Sequence, residues 1–338
     1  MHCVACGAPF TGRRIGALTG KALGGCITDV PGVRVGHAQS ESGHTGATVL
    51  LLEQGAIAGI DVGGSAPATR ETQLLNPTNM IMRIHAVLLT GGSTFGLQAA
   101  AGVQRFLEEQ DIGFRASTGA IVPIVPTAAI FDLDVGRPRI YPDPAMGYAA
   151  CQAASADATL QGAVGAGSGA TCGKVLGSDH AMRGGLGTAS MALPDGVVIG
   201  ALAVCNAWGD IVHPDNGTIL AGARHPNDPS RFLNSEEYII DHRSIDTRFF
   251  GRDTTLCVVA TNAKFSREET TKLAMMAQDG IARAIRPSHT LFDGDVVFAL
   301  SAGDKEADVT VAGTIAARLI VHAIIRGVLA ANAPVEQP

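Results

Sequence analysis

One stretch constrains the fold more than any other: Arg252-Asp253-Thr254-Thr255-Leu256-Cys257-Val258-Val259-Ala260-Thr261-Asn262. A polar, charge-rich approach beginning near Asp215 ends in a hydroxyl pair, and the chain turns at once into β-branched and apolar residues. Such a run reads as a buried strand. A loose approach therefore delivers two threonines to the start of a rigid element. Because only 4% of residues are aromatic while 46% are hydrophobic and 42 are glycine, the layers around this strand must pack from Ala, Val, Ile and Leu with glycine turns. That composition suits stacked sheets and helices.

The same stretch has chemical potential. If the chain were cut between Asp253 and Thr254, Thr254 would carry a free α-amine beside its own hydroxyl. An amine of this kind titrates near roughly 7.7–8.0 and is able to act as general base for the neighbouring Oγ. Thr-Thr at a strand start is equally compatible with ordinary β-propensity.

Read in order, Ile27–Gly36 alternates as a strand. Thr48–Leu52 and Ala56–Val62 suggest a hairpin about Glu53-Gln54-Gly55. Arg70 and Glu71 read as solvated surface charges. His85–Thr90 is a buried strand, followed by a tight turn over Gly91–Thr94 and a helix over Phe95–Glu109. Ser93 is placed to cap that helix; the glycine spacing fits neither a phosphate loop nor a nucleophile elbow. Pro123 and Pro126 break Ile121–Leu133 into edge or lining segments, and Ala145–Ala156 is an Ala-rich helix.

Gly162–Gly173 holds five glycines in twelve residues and ends at Lys174, which is either a site residue at the edge of a close-approach loop or a solvated lysine. Met191–Leu193, Gly196–Cys205 and Ile211–His213 read as strands. Asn206 closes one of them, and spacing alone favours a turn there. Asp215–Asp253 is a surface excursion. Ser266-Arg267-Glu268-Glu269 is a capping box for a helix reaching about Ile285. Asp293-Gly294-Asp295 is a turn signal before Val296–Leu300, and two carboxylates that close could equally tune a hydroxyl or bind a substrate ammonium; Val311–Ala330 is a strongly apolar helix.

Taken together, Ile27-Thr28-Asp29-Val30-Pro31-Gly32-Val33-Arg34-Val35-Gly36-His37, Thr45-Gly46-Ala47-Thr48, Gly91-Gly92-Ser93-Thr94-Phe95-Gly96-Leu97, Gly165-Ala166-Gly167, Gly173-Lys174-Val175, Asn206, Asp253-Thr254-Thr255 and Asp293-Gly294-Asp295 give a resemblance. The chain from Ile27 to about Ala331 resembles the self-processing L-aminopeptidase/D-Ala-esterase-amidase peptidases, a family that includes β-aminopeptidases and the nylon-oligomer hydrolase.

The resemblance implies an α+β fold, a four-layer αββα sandwich similar to the N-terminal-nucleophile hydrolases. It implies a single domain over residues 27–338 behind an extension of residues 1–26, self-cleaved into 1–253 and 254–338. Thr254 would be the nucleophile after cleavage at Asp253, with Lys174 beside it, Asn206 donating to the oxyanion, and Asp293 and Asp295 orienting the hydroxyl. Phe131 falls where some relatives have an oxyanion tyrosine. The implied substrate is a short peptide, amide or ester with a free amino terminus, hydrolysed through an acyl-Thr254 intermediate. The implied assembly is a homo-oligomer, a tetramer or larger.

Composition narrows the partners. A net charge of −6 without long like-charged blocks argues against nucleic acid. No run reaches the roughly 18 apolar residues of a membrane span, and Met1–Gly20 lacks a signal-peptide core, so the expected location is the cytoplasm. Cys3 and Cys6 have zinc-ligand spacing but no second pair, and the seven scattered cysteines read mainly as small core residues. No cofactor or metal is expected. Two other functions fit the same motifs: acyl transfer to an amine, as in the similarly folded ornithine acetyltransferases, and a catalytically inactive small-molecule binding protein.

Overall fold

The computed structural model describes residues 24–42, 44–136, 140–243 and 253–334. Arg252, Cys3, Cys6 and most of the expected N-terminal extension lie outside them. The principal strands are β1 (Arg34–Gln39), β2 (Gly46–Val62), β3 (Ala68–Arg70), β4 (Ile84–Thr90), β5 (Thr127–Ala129), β6 (Gly185–Ala192), β7 (Val198–Asn206), β8 (Thr254–Ala263) and β9 (Val296–Lys305). They are hydrogen-bonded in the order β6-β7-β8-β9-β2-β4-β5-β3, with β1 also paired to β2. The helices are α1 (Ala100–Glu109), α2 (Pro144–Gln152), α3 (Ser235–His242), α4 (Arg267–Ala284) and α5 (Val309–Ala331).

The expected hairpin within Thr48–Val62 does not form. That segment is the single 17-residue strand β2, irregular between Leu51 and Ala56, where Gly55 takes a positive φ of 72°. Its first half pairs with β1 and β4, its second half with β9. A Glu-Gln-Gly sequence suits a turn, but each half of β2 has a better partner elsewhere than the other half. The glycine therefore serves a bulge that carries one strand from one sheet into the next.

Side-chain alternation along these strands builds three apolar interiors. Ala47, Val49, Leu51, Ala86 and Leu88 point outward onto Val103 and Leu107 of α1 and Ala150 and Cys151 of α2. Leu50, Leu52, Val87 and Leu89 point the other way and share a core with Leu256, Val258, Val296, Phe298 and Leu300. On the far side Cys257, Val259, Val297 and Ala299 meet Leu273 and Ile281 of α4 and Leu319, Ile320 and Ile324 of α5. Three interiors between four layers make an αββα sandwich, the expected architecture. Phe298, fully buried in the central layer, would cost about 3–5 kcal/mol if cut to alanine.

Helix α5 is long and apolar enough to cross a membrane, but 61% of its most apolar window is buried against α4, β6 and β7; it is a core helix. The capping box before α4 forms as expected, with Glu269 N–H donating to Ser266 Oγ and Ser266 N–H to the Glu269 carboxylate.

Other local expectations are corrected. Ile27–Asp29 is a 3-10 turn rather than the start of a strand, because Asp29 folds back to accept the Cys26 N–H and Thr188 Oγ accepts the Ile27 N–H. The helix expected over Phe95–Glu109 begins as short turns and is regular only from Ala100. Ser93 sits at φ 53° without a side-chain cap. Arg70 and Glu71 are half-buried struts: Arg70 donates to Gln104 Oε1 on α1, and Glu71 accepts from Gln104 and from Val125 N–H.

Candidate active site

The central strands converge on one end where the apolar pattern stops. Thr254 opens β8 directly opposite Asn206, the last residue of β7. The Asp293-Gly294-Asp295 segment enters parallel strand β9 on the other side, and Asp253 bridges to Asp293. The expected hairpin turn at Asp-Gly is absent, because β9 runs alongside β8 rather than back from a neighbour. Lys174, Asn206, Asp253, Thr254, Asp293 and Asp295 thus gather in one place, each at most 4% exposed.

The peptide joining Asp253 to Thr254 is held at three points. The Thr254 hydroxyl donates to the Asp253 carbonyl. Gly294 N–H donates to the same oxygen at 2.8 Å, the distance at which a backbone donor stabilises a developing oxyanion. Thr255 N–H donates to Asp295 Oδ1 at 2.7 Å, fixing the residue that follows the hydroxyl. A Cβ at position 294 would lie 2.7 Å from Thr254 Oγ and 2.6 Å from the Ala66 carbonyl, so only glycine lets this backbone reach the threonine.

Lys174 and Asn206 form the opposite wall. Lys174 Nζ donates to Asn206 Oδ1 at 2.9 Å and to the Asn206 carbonyl at 3.3 Å, and it pairs with Asp253 Oδ1 at 2.8 Å. Asn206 Oδ1 also accepts Thr171 N–H at 3.0 Å, and its amide donates to the Phe131 carbonyl at 3.0 Å. Lys174 is therefore not a solvated lysine and Asn206 is not a turn residue. Phe131 does stand beside Asn206, contributing main chain rather than a hydroxyl.

Burial sets the charges. Asp293 is pushed up to about 7, chiefly by desolvation and then by the neighbouring Asp295, despite donors from the Thr290 N–H and hydroxyl at 2.9 and 2.7 Å. Desolvation also raises Asp253, and Lys174 opposes the rise. Asp295 Oδ2 accepts His289 Nδ1 at 2.8 Å and His289 N–H at 3.3 Å, and that hydrogen bond raises the imidazole above its ordinary range. Asp132, the buried residue after Phe131, accepts Gly92 N–H at 2.7 Å and is pushed to about 6, mainly by desolvation.

The Gly294 amide, Thr171 and His289 belong to this neighbourhood and carried no sequence signal of their own. Thr171 lies inside the glycine-rich stretch, where a close-approach donor is a natural guess; nothing in the spacing singles out His289. Among the described residues no group of three or more His, Cys, Asp or Glu side chains is placed to hold a metal ion. Cys26, Cys151, Cys172, Cys205 and Cys257 are buried and unpaired. Desolvation raises Cys151 and Cys205 to about 12, which makes them poor nucleophiles.

A buried hydroxyl, the carbonyl it touches, a backbone N–H donor to the same carbonyl and an ammonium are thus gathered around the 253–254 peptide. The chain is 43% identical over 300 residues to an uncharacterized aminopeptidase of Mycobacterium leprae, covering 84% of this chain and 80% of that one. It is 32% identical over 311 residues to a 6-aminohexanoate-oligomer endohydrolase of Kocuria sp., covering 90% and 82%. Its fold matches the L-aminopeptidase D-Ala-esterase/amidase of Ochrobactrum anthropi, described as a variant of the Ntn hydrolase fold, with TM-score 0.67 at 18% identity over 96% of this chain and 88% of that one. A Burkholderia sp. β-aminopeptidase matches with TM-score 0.66 at 21% identity over 94% and 89%. The model of peptidase family S58 matches residues 25–336, and the chain belongs to that family.

Proposed function

We propose that the chain is an aminopeptidase/amidase of the N-terminal-nucleophile type, which cuts itself between Asp253 and Thr254 and then uses Thr254 to release amino-terminal residues from short peptides, amides or esters. The observation that carries the reading is the double grip on the Asp253 carbonyl by the Thr254 hydroxyl and the Gly294 N–H. Family membership and the aminopeptidase and amide-hydrolase names of the relatives support it.

In self-cleavage Thr254 Oγ attacks the Asp253 carbonyl carbon. Negative charge collects on the oxygen facing Gly294 N–H, with the Lys174 ammonium close by. The C–N bond then breaks, the former peptide nitrogen takes the hydroxyl proton, and an ester joins Asp253 to Thr254 Oγ. Water hydrolyses that ester, leaving the Asp253 α-carboxylate and a free Thr254 amine. In catalysis this amine takes the Oγ proton as the hydroxyl attacks a substrate carbonyl, passes it to the departing amine, and water releases the acyl group.

The stacked and exposed rings of Phe95 and Tyr141 support assembly into a homo-oligomer, and the unpaired buried cysteines suit the reducing cytoplasm. The test is hydrolysis of aminoacyl p-nitroanilides and small dipeptides by the processed protein and by Thr254→Ala. Release by the first and not the second is expected; equal release by both would overturn the reading. Adding ornithine to an acetyl donor separates acyl transfer, which alone yields acetylornithine.

A further inference from the structure

His289 stands outside every motif described above, yet two hydrogen bonds in series join it through Asp295 to Thr255, the residue after the nucleophile. Its ring Nδ1 and its backbone N–H both reach Asp295 Oδ2, at 2.8 and 3.3 Å, while Asp295 Oδ1 accepts the Thr255 N–H at 2.7 Å. The residue is held at φ 56°, in the left-handed region. Its ring fills the space above Gly63, where an added Cβ would lie 2.9 Å from Nδ1 and 2.1 Å from Gln278 Nε2.

The surroundings are acidic. Asp293 and Asp295 are two residues apart and only 2% and 1% exposed, and two buried carboxylates this close cannot both ionise without compensation. Lys174 pairs with Asp253 on the other wall. The charged groups acting on the His289 ring are Asp295 and Asp293 before β9 and Asp61 on β2, all of which favour its protonated form; Asp279 on α4 acts in turn on Asp61. Gln278, also on α4, packs beside the ring and is neutral.

We propose that His289 is a positioning residue of the Thr254 centre: its ring and backbone N–H hold the Asp295 carboxylate in place as the acceptor for the Thr255 amide, and as an imidazolium it offsets the charge of the Asp293–Asp295 pair. The proposal rests on Thr254 being the self-cleaving nucleophile, because His289 acts only through Asp295 and the start of β8. His289→Asn tests it, since asparagine supplies a similarly placed N–H donor but no charge.

Two readouts are taken together. In the first, self-cleavage is followed by mass against pH. His289→Ala slows it by about tenfold, whereas His289→Asn restores part of the rate, and its pH midpoint stands about one unit higher than in the wild type, the scale of shift an opposite charge at this range produces. In the second, the aspartate carboxyl carbons are titrated by NMR in Thr254→Ala and in Thr254→Ala/His289→Asn. The upper midpoint of the Asp293–Asp295 pair rises by about the same amount in the double variant. Midpoints unchanged by His289→Asn would overturn the proposal and leave the histidine a neutral strut. A wild type intact at every pH would defeat the self-cleavage reading instead, and the carboxyl titration would still decide what His289 does.

Discussion

Strand β8 is polar at both ends and apolar between, and its two ends are resolved in opposite ways. At the far end every polar group is matched. Thr261 Oγ donates to the Val198 carbonyl at 2.8 Å, Asn262 Nδ2 donates to the Gly196 carbonyl at 3.0 Å, and Asn262 Oδ1 accepts the Val198 N–H at 2.7 Å. At the near end Asp253 Oδ2 is buried and lacks a hydrogen-bond partner among the described residues, and Asp293 is forced toward neutrality. A strand end built for stability closes its hydrogen bonds; an end that leaves desolvated groups unmatched accepts a cost that chemistry explains.

Predictions follow from trying to erase that contrast. The largest effect is at the near end: Thr254→Ala removes the attacking oxygen, and mass spectrometry should find no cleavage at all while the melting temperature holds or rises. Lys174→Met comes next. It takes the ammonium from Asn206 and Asp253, and self-cleavage followed over time should slow by about a hundredfold, equivalent to about 2.7 kcal/mol of transition-state stabilisation. At the far end Asn262→Ala breaks two buried hydrogen bonds, and denaturant unfolding should show a loss of about 1–3 kcal/mol with cleavage retained.

The smallest effect is on the pH dependence of stability. Asp293 has a folded-state pKa of about 7, above its unfolded value, so the folded chain binds the extra proton between those two values and stability falls as pH rises from about 4 to about 7. Asp132 and Asp210, each raised to about 6 mainly by burial, add to the same slope. His37, lowered to about 4 by burial, works against it, losing stability as pH falls through the range below 6.5. In a background of Thr254→Ala, Asp293→Asn should flatten the melting temperature between pH 5 and 7, and an unchanged slope would show that Asp293 is not the strained group.

The contrast between the ends of β8 also marks how far the sequence could be read. The apolar run of β8, the capping box at Ser266 and the apolar face of α5 were legible because local spacing and caps decide them. Lys174 and Asp293 were legible as chemistry-bearing residues next to glycines, though spacing alone left each with an ordinary alternative. The continuity of β2 was not legible, because Glu53-Gln54-Gly55 is good turn sequence and only the distant β9 makes the extended path better. Nor was the turn at Ile27–Asp29, which depends on Thr188, more than a hundred residues away. The Gly294 amide and His289 escaped for another reason: a backbone donor has no letter in the sequence, and a histidine in a left-handed turn has no period.

The grip on the Asp253 carbonyl by the Thr254 hydroxyl and the Gly294 N–H is expected to mark a cleavage site. The intact masses of the purified chain under denaturing conditions, beside those of Thr254→Ala, test it most directly. Two fragments meeting between Asp253 and Thr254, the second beginning with Thr254, together with a single chain for the variant, are the predicted result. A wild type that stays in one piece after prolonged incubation would remove the free amine from the mechanism and contradict the account.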